Sequence, residues 1–562
     1  MPASSEFSRG SMLARLDAET FDVLVIGGGI TGVGVALDAV SRGLKTALVE
    51  RDDFASGTSS KSSKMVHGGF RYLQQGDVRL VYEALHERRR LMRNAPHLVT
   101  LLPFMIPILT KDGVVSRKIA RAMGSAMWMY DLTGGWRIGK LHKRLKPDKA
   151  LAHMPTMNRQ RLASAYLYYD AGADDARLCL TVARTAADQG AVVANRCGVV
   201  ELLKDSAGKA AGAIVDADGR RITVRARAVV NAAGVWSDDV RSLDEGTHPD
   251  SIRPAKGVHV TIPWHFARND IAVIIPVAKD KRSLFLVPWG PNADGTFKYT
   301  YVGTTDTDWA GPLDDPQCTK DDIDYVLRAL NAALASSLAT PVTEDDITGV
   351  WAGLRPLVKG VGVKSAASGR TADLSRRHSV RRSDSGVVTV TGGKLTTYRE
   401  MAQATIDEVL QLLSAKGRCR TKRLALRGAN GYRAAAPGTA ADHLGGRYGS
   451  LLTEVQALID ADASLTEPLV PGLPYLRAEA VYAVQHEMAC TLDDVLSRRT
   501  RALLFDRPAA LAAAPAVAAL IAPHLGWDSA TTATQVAHFR DLCAAEVAAG
   551  LVPEAELIGS LS

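Results

Sequence analysis

The sequence contains few cysteines and no apolar segment of membrane-spanning length. Its six cysteines, in 562 residues, form no CxxC pair and show no spacing typical of a zinc site, so we expect no bound metal. They are too sparse for a disulfide scaffold, and we interpret them as the reduced thiols of a cytosolic protein. The most apolar stretch, 508–523, is mostly alanine and contains Pro515, so we predict no transmembrane helix. Residues 1–20 lack the apolar run of a signal peptide, and we predict a disordered leader there.

The composition is that of a globular protein with a mild excess of positive charge. Hydrophobic residues make up 46% of the chain and charged residues 23%, so a sizeable core is expected. The net charge of +8 suits an anionic substrate, an anionic membrane surface, nucleic acid or simply a solvated surface. Charge alone therefore does not identify a partner.

Strand-like and helical patterns alternate over the first 410 residues, which predicts an α/β architecture. Apolar strands are predicted at 22–26, 46–50, 227–232 and 386–391. Segments 257–262, 283–288 and 298–303 have a different pattern and predict a second, antiparallel sheet that covers a ligand. Residues 434–441 are rich in alanine, proline and glycine, and we predict that they link this part to an all-helical C-terminal domain.

A dinucleotide-binding motif follows the first predicted strand. Gly27, Gly29 and Gly32 give the pattern G-x-G-x-x-G between a strand and a helix, and a second strand ends in Glu50, 21 residues after Gly29. Glycine lets the backbone turn tightly and approach a pyrophosphate, and the helix start offers free N–H groups. Glu50 is expected to accept hydrogen bonds from ribose hydroxyls. The alternative is a purely structural β-α-β unit.

Two further segments favour FAD over NAD. Residues 55–64 are rich in small hydroxyl side chains and suit the phosphates and ribityl chain of FAD, although a flexible linker has a similar composition. Far along the chain, Gly392 and Gly393 again follow a strand and precede a helix. Chain that returns to the cofactor from distant sequence is typical of flavoproteins, in which FAD lies extended across the domain.

Several blocks of the sequence resemble the aerobic, membrane-associated family of FAD-dependent glycerol-3-phosphate dehydrogenases. The most specific are Thr58-Ser-Ser-Lys-Ser-Ser-Lys-Met-Val-His67-Gly-Gly-Phe-Arg71-Tyr72-Leu and Gly392-Gly-Lys394-Leu-Thr-Thr-Tyr-Arg399. Further matches are Asp174-Asp-Ala-Arg-Leu, Asn231-Ala-Ala-Gly234-Val-Trp236, Lys256-Gly-Val-His259, Gly303-Thr-Thr-Asp306, Gly353-Leu-Arg355-Pro-Leu and the segment from His486 to Arg501. The resemblance extends from about residue 21 to beyond residue 501.

The resemblance implies an FAD-binding Rossmann-like domain of the D-amino-acid-oxidase type, an antiparallel β substrate domain and an all-helical C-terminal cap. The expected bounds are 21–90, 160–240 and 345–425 for the FAD-binding domain, 91–159 and 241–344 for the substrate domain, and 430–562 for the cap. The implied reaction oxidises sn-glycerol 3-phosphate to dihydroxyacetone phosphate by hydride transfer from C2 to noncovalent FAD. Membrane quinone is the implied electron acceptor, and the implied location is cytoplasmic, peripheral on the inner face of the cell membrane.

The resemblance also implies roles for individual residues. The expected catalytic residues are His259, as the base or hydrogen-bond partner of the C2 hydroxyl, with Arg355 and Lys394. Arginine holds a phosphate through its planar fork, and the expected substrate-binding residues are Arg71, Tyr72, Arg355 and Arg376, with Arg377 as an alternative to Arg376. His67 is an alternative base that we expect nearer the flavin ring. The predicted cofactor-binding residues are Gly27, Gly29, Gly32, Glu50, Thr58, Ser59, Ser60, Ser63, His67, Gly68, Gly234, Gly393, Lys394, Leu395 and Thr396.

A basic stretch points to a surface function. Residues 117–146 hold eight basic residues and one acid, with methionine and tryptophan interleaved. This composition is typical of a surface on anionic lipid, although a helix pair that packs its large side chains inside is an equal alternative. No motif supports nucleic-acid binding. The oligomeric state is left open, with a homodimer as one alternative.

Three rival functions remain at this point. An oxidase that passes electrons to oxygen shares the active-site blocks, although the lack of a large insertion in the substrate region favours the dehydrogenase. A related flavoenzyme for an amine or another 2-hydroxy acid would also use arginine. A nucleotide-binding scaffold without turnover is disfavoured because Arg71, His259, Arg355 and Lys394 are all present.

Overall fold

The structure is a computed structural model of the 562-residue chain, and it describes residues 7–69, 78–109, 117–134, 139–277, 282–334, 338, 340–359 and 378–561. Three predicted substrate-binding residues, Arg71, Tyr72 and Arg376, lie outside the described residues. The alternative residue Arg377 and residues 1–6 of the predicted leader also lie outside them.

The strands are numbered in chain order. They are β1 (Thr20–Ile26), β2 (Thr46–Val49), β3 (Met65–Val66), β4 (Val99–Leu109), β5 (Lys143–Leu145), β6 (Leu162–Ala173), β7 (Val192–Ala194), β8 (Gly198–Lys204), β9 (Ala210–Ala217), β10 (Arg220–Asn231), β11 (Ile252–Pro263), β12 (Ala272–Pro276), β13 (Ser283–Pro291), β14 (Phe297–Gly303), β15 (Thr307–Asp308), β16 (Gly349–Val358), β17 (Ser379–Arg382) and β18 (Val388–Thr391).

The α-helices are numbered in the same way. They are α1 (Arg9–Ala18), α2 (Ile30–Ser41), α3 (Val78–Asn94), α4 (Arg117–Thr133), α5 (Pro147–His153), α6 (Asp175–Asp188), α7 (Ser237–Glu245), α8 (Lys320–Leu334), α9 (Tyr398–Leu412), α10 (Ala440–Tyr448), α11 (Leu452–Ala461), α12 (Arg477–His486), α13 (Ala502–Phe505), α14 (Arg507–Leu525), α15 (Ser529–Gly550) and α16 (Glu554–Leu561).

The first sheet has the strand order β17-β18-β10-β1-β2-β7, with β9 beside β10 and β8 beside β9. Its central pairs, from β18 through to β7, are all parallel. Val23, Leu24 and Val25 of β1 are fully buried, as expected for a strand covered on both faces. The four strands predicted from apolar runs are therefore confirmed, and their carboxyl ends bring four loops to one edge of the sheet.

The second sheet has the order β15-β11-β14-β13-β12-β4-β6-β3, with β16 beside β11 and β5 beside β6. It contains the three strands predicted at 257–262, 283–288 and 298–303. Its pairs among the described residues are antiparallel except β12 with β4, which are parallel. Strand β11 pairs with β14 on one side and with β16 on the other, and it carries His259.

The sheet membership of two long strands differs from the predicted domain bounds. Strand β6 pairs with β4 along its whole length, and β16 pairs with β11 from Gly349 to Val358, so both belong to the second sheet. The predicted bounds placed these segments, 160–173 and 345–358, in the FAD-binding domain. An apolar strand pattern does not specify which of two sheets the strand joins, and pairing across more than 50 residues decided it here.

The prediction of a disordered leader over residues 1–20 is wrong for residues 9–18. These residues form α1, whose first turn is capped by the Ser8 hydroxyl, which accepts a hydrogen bond from the Ser11 amide at 3.3 Å. Met12 and Leu16, four residues apart on one face, are buried in the core of the first sheet. The spacing of Met12 and Leu16 indicates a helix with one buried face. The polar residues around them make this pattern weak in the sequence.

The C-terminal domain is helical, as predicted, and contains α10 to α16 together with a π-helical segment, Asp494–Arg499. Helix α14 is the one described helix that is long and apolar enough to span a membrane. Its Ala514, Val517 and Ile521 are buried in the core of this domain, where α14 packs against α12 and α15. We therefore describe α14 as a core helix of the C-terminal domain.

Candidate active site

The loop between β1 and α2 requires glycine at two of the predicted positions. Gly27 has φ of +112°, and a Cβ atom there would lie 2.7 Å from the carbonyl oxygen of Ala232. A Cβ atom on Gly32 would lie 1.9 Å from the carbonyl oxygen of Gly27, so Gly32 serves the close packing of helix on strand. The helix begins at Ile30, whose amide donates to the Ser59 hydroxyl at 2.9 Å.

Glu50 at the end of β2 is part of the same loop. Its carboxylate accepts hydrogen bonds from the amides of Gly28 at 2.5 Å and Asp52 at 2.8 Å. Burial nevertheless raises the pKa of Glu50 to about 7, because removal from water outweighs these two hydrogen bonds. The Glu50 oxygens thus accept hydrogen bonds from two backbone amides beside the nucleotide loop, and the raised pKa makes proton uptake easier than for an exposed carboxylate.

A cavity of about 440 Å³ opens where the four loops of the first sheet meet. The predicted cofactor residues that line it are Gly27, Gly29, Glu50, Thr58, Ser59, Gly234, Gly393, Lys394 and Leu395. Gly392 and Gly393 both have positive φ, +75° and +77°, and a Cβ atom on Gly393 would lie 2.3 Å from the sulfur of Met401. Hydroxyl groups, a helix start and glycine backbone fit the adenosine and diphosphate of FAD. We call this space the cofactor cavity.

The remaining predicted cofactor residues, Gly32, Ser60, Ser63, His67, Gly68 and Thr396, do not line the cofactor cavity. Ser60 lines a second cavity, of about 690 Å³, between the 51–61 loop and the C-terminal domain. The amide of His67 donates to the Thr396 hydroxyl at 3.2 Å, which joins two of the predicted segments. The amide of Gly68 donates to the carboxylate of Asp170 at 3.2 Å. Ser63 has a different partner, His259.

His259 lies in the middle of β11, opposite Gly303 of β14 and Trp351 of β16. It is 3% exposed, and its ring stacks on the Trp351 ring at 4.8 Å with an angle of 8°. Its Nε2 atom is 2.8 Å from the Ser63 hydroxyl. Burial lowers the pKa of His259 well below its usual range, and the positive charges of Lys64 and Arg355 lower it further. The imidazole is therefore neutral at physiological pH.

Arg355 of β16 lies on the same face of the second sheet as His259. A Cβ atom on Gly257, two residues before His259, would lie 2.3 Å from the Arg355 guanidinium. The guanidinium donates to Asp306 Oδ1 at 3.0 Å and to the Thr304 hydroxyl at 3.1 Å. The structure thus brings two of the predicted catalytic residues together, whereas Lys394 lines the cofactor cavity at the first sheet.

Two charged residues near His259 were not predicted. Lys64 is buried beside the carboxylate of Asp175, with 3.4 Å between Nζ and Oδ1, and its ammonium lies 4.3 Å from the centre of the Trp351 ring. Burial lowers the pKa of Lys64 to about 8, although Asp175 opposes this. Both residues lie in blocks of the sequence that carry the family resemblance, 58–73 and 174–178. The adjacent carboxylates Asp174 and Asp175 at a helix start could have indicated that a buried cation lies nearby.

Comparison with known proteins places these features in a family. A family model described as FAD dependent oxidoreductase matches residues 22–419, and one described as the C-terminal domain of alpha-glycerophosphate oxidase matches residues 419–532. Glycerol-3-phosphate dehydrogenase 2 of Mycobacterium tuberculosis is 41% identical over 557 residues, which cover 96% of this chain and 91% of that protein. The mitochondrial glycerol-3-phosphate dehydrogenase of Mus musculus is 37% identical over 553 residues, which cover 92% and 73%.

A solved structure agrees with this assignment. The crystal structure of the glycerol-3-phosphate dehydrogenase of Bacillus halodurans, complexed with FAD, matches with a TM-score of 0.73 and 29% identity. The match covers 98% of this chain and 99% of that chain, so it includes both sheets and the C-terminal domain. The chain belongs to the family of FAD-dependent glycerol-3-phosphate dehydrogenases.

Proposed function

We propose that this protein oxidises sn-glycerol 3-phosphate to dihydroxyacetone phosphate and passes the electrons to a membrane quinone. FAD, when bound, supplies the hydride acceptor for C2 of the substrate. The observation that carries the proposal is the contact between a neutral histidine of the second sheet and the chain that leaves the cofactor loop. His259 and Arg355 share one face of the second sheet, and Ser63, from the chain that leaves the cofactor loop, contacts the His259 ring.

We assign to His259 the removal of the C2 hydroxyl proton. Because its pKa lies well below the usual range, the imidazole carries a free lone pair at pH 7. Its Nδ1 atom is buried and has no hydrogen-bond partner among the described residues, so it is the ring atom left for the substrate. A bound phosphate dianion nearby raises the imidazole pKa and so favours proton transfer to it.

We assign to Arg355 the binding of the substrate phosphate, together with Arg71, Tyr72 and Arg376. The Arg355 side chain is 22% exposed, and its ion pair with Asp306 and its bonds to residues 304–305 fix the plane of the fork. A fixed planar fork aligns the phosphate and hence the carbon two bonds away from it. Lys394, at the cofactor cavity, is assigned to stabilise negative charge on the reduced flavin.

The test is anaerobic reduction of the purified holoprotein. Glycerol 3-phosphate is expected to bleach the flavin absorbance, whereas glycine and lactate, which lack the phosphate, are expected to leave it unchanged. Bleaching by an amine or another 2-hydroxy acid, and not by glycerol 3-phosphate, would show that the protein acts on a different class of substrate.

A glycerol-3-phosphate oxidase is the second candidate, because residues 419–532 match the model described as the C-terminal domain of alpha-glycerophosphate oxidase. The two activities differ in the step after substrate oxidation. We expect the reduced protein to be reoxidised faster by a soluble quinone analogue than by oxygen. Faster reoxidation by oxygen with release of peroxide would identify an oxidase.

We further propose that the protein docks peripherally on anionic lipid at the inner face of the cell membrane. Several large apolar side chains of α3, α4 and the following loop are exposed: Val78, Tyr82, Trp128, Met129, Leu132 and Leu141. Trp128 is 56% exposed and Leu132 73%, while Lys140, Lys143 and Arg144 lie exposed close by in the sequence. Outward apolar groups beside positive charge suit the boundary of an anionic bilayer better than a solvated helix pair.

Co-sedimentation with vesicles tests the docking. We expect binding to vesicles that contain anionic lipid and weaker binding at high salt. Leu132→Ser is expected to weaken it, and the matched control is Leu551→Ser, which replaces a leucine 63% exposed on the C-terminal domain. Vesicle binding that depends neither on anionic lipid nor on Leu132 would refute the proposed docking. The predicted homodimer stays a prediction, which light scattering of the holoprotein tests.

A further inference from the structure

The segment 62–64 is held at three points around His259, and we call it the His259 loop. The Ser63 hydroxyl contacts His259 Nε2 at 2.8 Å. The Ser63 carbonyl accepts a hydrogen bond from the Tyr301 hydroxyl at 3.0 Å, and the Ser62 carbonyl accepts one from Trp351 Nε1 at 3.0 Å. Since Trp351 also stacks on the His259 ring, the loop and the ring share their neighbours.

Asp175, the first residue of α6, fixes the His259 loop from the other side. Its Oδ2 atom accepts hydrogen bonds from the Ser62 amide at 3.0 Å and the Ser62 hydroxyl at 2.7 Å. Its Oδ1 atom is 3.4 Å from Lys64 Nζ. The Asp175 side chain is fully buried, so the carboxylate depends on these donors in place of water.

A further partner of Asp175 comes from the C-terminal domain. Arg501, between the π-helical segment and α13, donates to Asp175 Oδ1 through one guanidinium nitrogen and to Asp174 Oδ1 through Nε at 3.0 Å. A third nitrogen donates to the Ser497 carbonyl at 3.0 Å. The Arg501 side chain is 2% exposed, so one buried fork joins the C-terminal domain to the carboxylate that fixes the His259 loop.

The same domain contacts the strands that carry His259 and Arg355. The Leu504 carbonyl accepts a hydrogen bond from the Thr261 hydroxyl at 2.7 Å, two residues along β11 from His259. The Phe505 carbonyl accepts one from the Thr348 hydroxyl at 2.6 Å, directly before β16. The C-terminal domain therefore contacts the surroundings of His259 at three places, through Arg501, Leu504 and Phe505.

We propose that Arg501 is a positioning residue of the active site, which acts through Asp175 and the His259 loop to orient the His259 ring. In the tautomer that this role requires, the Ser63 oxygen accepts a hydrogen bond from Nε2–H, so the lone pair lies on Nδ1, which takes the hydroxyl proton of the substrate. The O–H bond of the substrate breaks as the Nδ1–H bond forms. This inference rests on the assignment of His259 as the base, and it makes the C-terminal domain part of the catalytic apparatus.

The test compares Arg501→Lys with Arg507→Lys in the holoprotein. Lysine keeps the buried positive charge, which protects the fold, but lacks the fork that reaches Asp174, Asp175 and Ser497 together. Arg507 is a matched control because it lies in the same domain next to the same strands and pairs instead with Glu546, at 3.6 Å. The first readout is hydrogen–deuterium exchange of residues 60–66. Faster exchange is expected for Arg501→Lys alone, and unchanged exchange would overturn the proposal.

The second readout is the rate of anaerobic flavin reduction in a double-mutant cycle with Ser63→Ala. We expect each single variant to slow reduction by about 10- to 100-fold, with substrate affinity and flavin content nearly unchanged. The double variant is expected to be no slower than the slower single variant, because both changes act on one ring. Effects that multiply would overturn the proposal. Wild-type protein that glycerol 3-phosphate fails to bleach would contradict the proposed function, whereas the exchange readout still decides whether Arg501 holds the loop.

Discussion

Gly303 lies directly opposite His259 in the second sheet, and Gly303→Ala tests how closely the ring must be placed. A Cβ atom at Gly303 would lie 2.2 Å from His259 Cδ2 and 2.9 Å from Nε2. Ordinary contact begins at 3.4 Å, so the ring has to retreat by about 1.2 Å. That movement acts on the edge of the ring that contacts Ser63 at 2.8 Å, so this hydrogen bond is lost.

The expected result follows from the size of that movement. A displacement of about 1 Å in a catalytic group lowers a rate by about 100-fold, and overpacking destabilises the fold by about 1–3 kcal/mol. Flavin content should stay at the wild-type level, because Gly303 does not line the cofactor cavity. The assay is stopped-flow anaerobic reduction, with thermal unfolding as a check on stability.

Gly446→Ala provides the matched control for this substitution. Among the described residues, a Cβ atom there meets only the His97 carbonyl oxygen, at 4.0 Å, so reduction and stability should stay near wild type. A Gly303→Ala protein that reduces its flavin at the wild-type rate would refute the reasoning, because it would show that the position of His259 does not limit the reaction.

Three further outcomes are expected. Gly257→Ala places a Cβ atom 2.3 Å from the Arg355 guanidinium and so displaces it. The Kd for glycerol 3-phosphate, measured by spectral titration, should rise by more than 10-fold while flavin content is retained. An unchanged Kd would show that Arg355 does not bind the phosphate. Burial raises the pKa of Glu50 from its ordinary 4.5 to about 7, so between these two pH values folding binds a proton. The free energy of unfolding should therefore fall by about 3 kcal/mol as the pH rises through this range. Glu50→Gln should abolish this fall, measured by unfolding of the flavin-free protein at pH 5 and pH 8. Lys64→Met removes the positive charge beside Trp351 and should raise the pKa of His259. The pH profile of flavin reduction should then shift to higher pH. A profile that does not shift would exclude this electrostatic effect.

The nucleotide loop was predictable from sequence because its determinants are local. The spacing of Gly27, Gly29 and Gly32 between a strand and a helix, followed by Glu50, specifies one short unit of structure. Strands and helices were predictable for the same reason, since their periodicity lies within a few residues. The structure also explains why glycine is required at positions 27 and 32, because a Cβ atom at either position would collide with a backbone carbonyl oxygen.

The surroundings of His259 depend on contacts between distant segments, which a single sequence does not display. Ser63 and His259 are 196 residues apart, and Arg501 and Asp175 are 326 apart. Ser63 was predicted as a cofactor contact because it belongs to a run of small hydroxyl residues that suits the phosphates and ribityl chain of FAD, yet its hydroxyl contacts the His259 ring. No local pattern distinguishes these two roles.

Sheet membership shows the same limit. The apolar pattern of β6 predicts a strand, but its choice of β4 as partner depends on the path of the whole chain. In contrast, α1 carried a local signal, the pair Met12 and Leu16, that a polar composition concealed. The spacing of these two residues, four apart, is sufficient to predict a helix with one buried face.

Anaerobic reduction of the holoprotein by glycerol 3-phosphate, measured for the wild type and for His259→Ala, tests the central claim most directly. We predict that the wild-type flavin bleaches, and that His259→Ala keeps its flavin but bleaches about 100- to 10,000-fold more slowly, as expected for loss of a general base. A wild-type flavin that stays oxidised, or a His259→Ala protein that bleaches at the wild-type rate, would contradict the account.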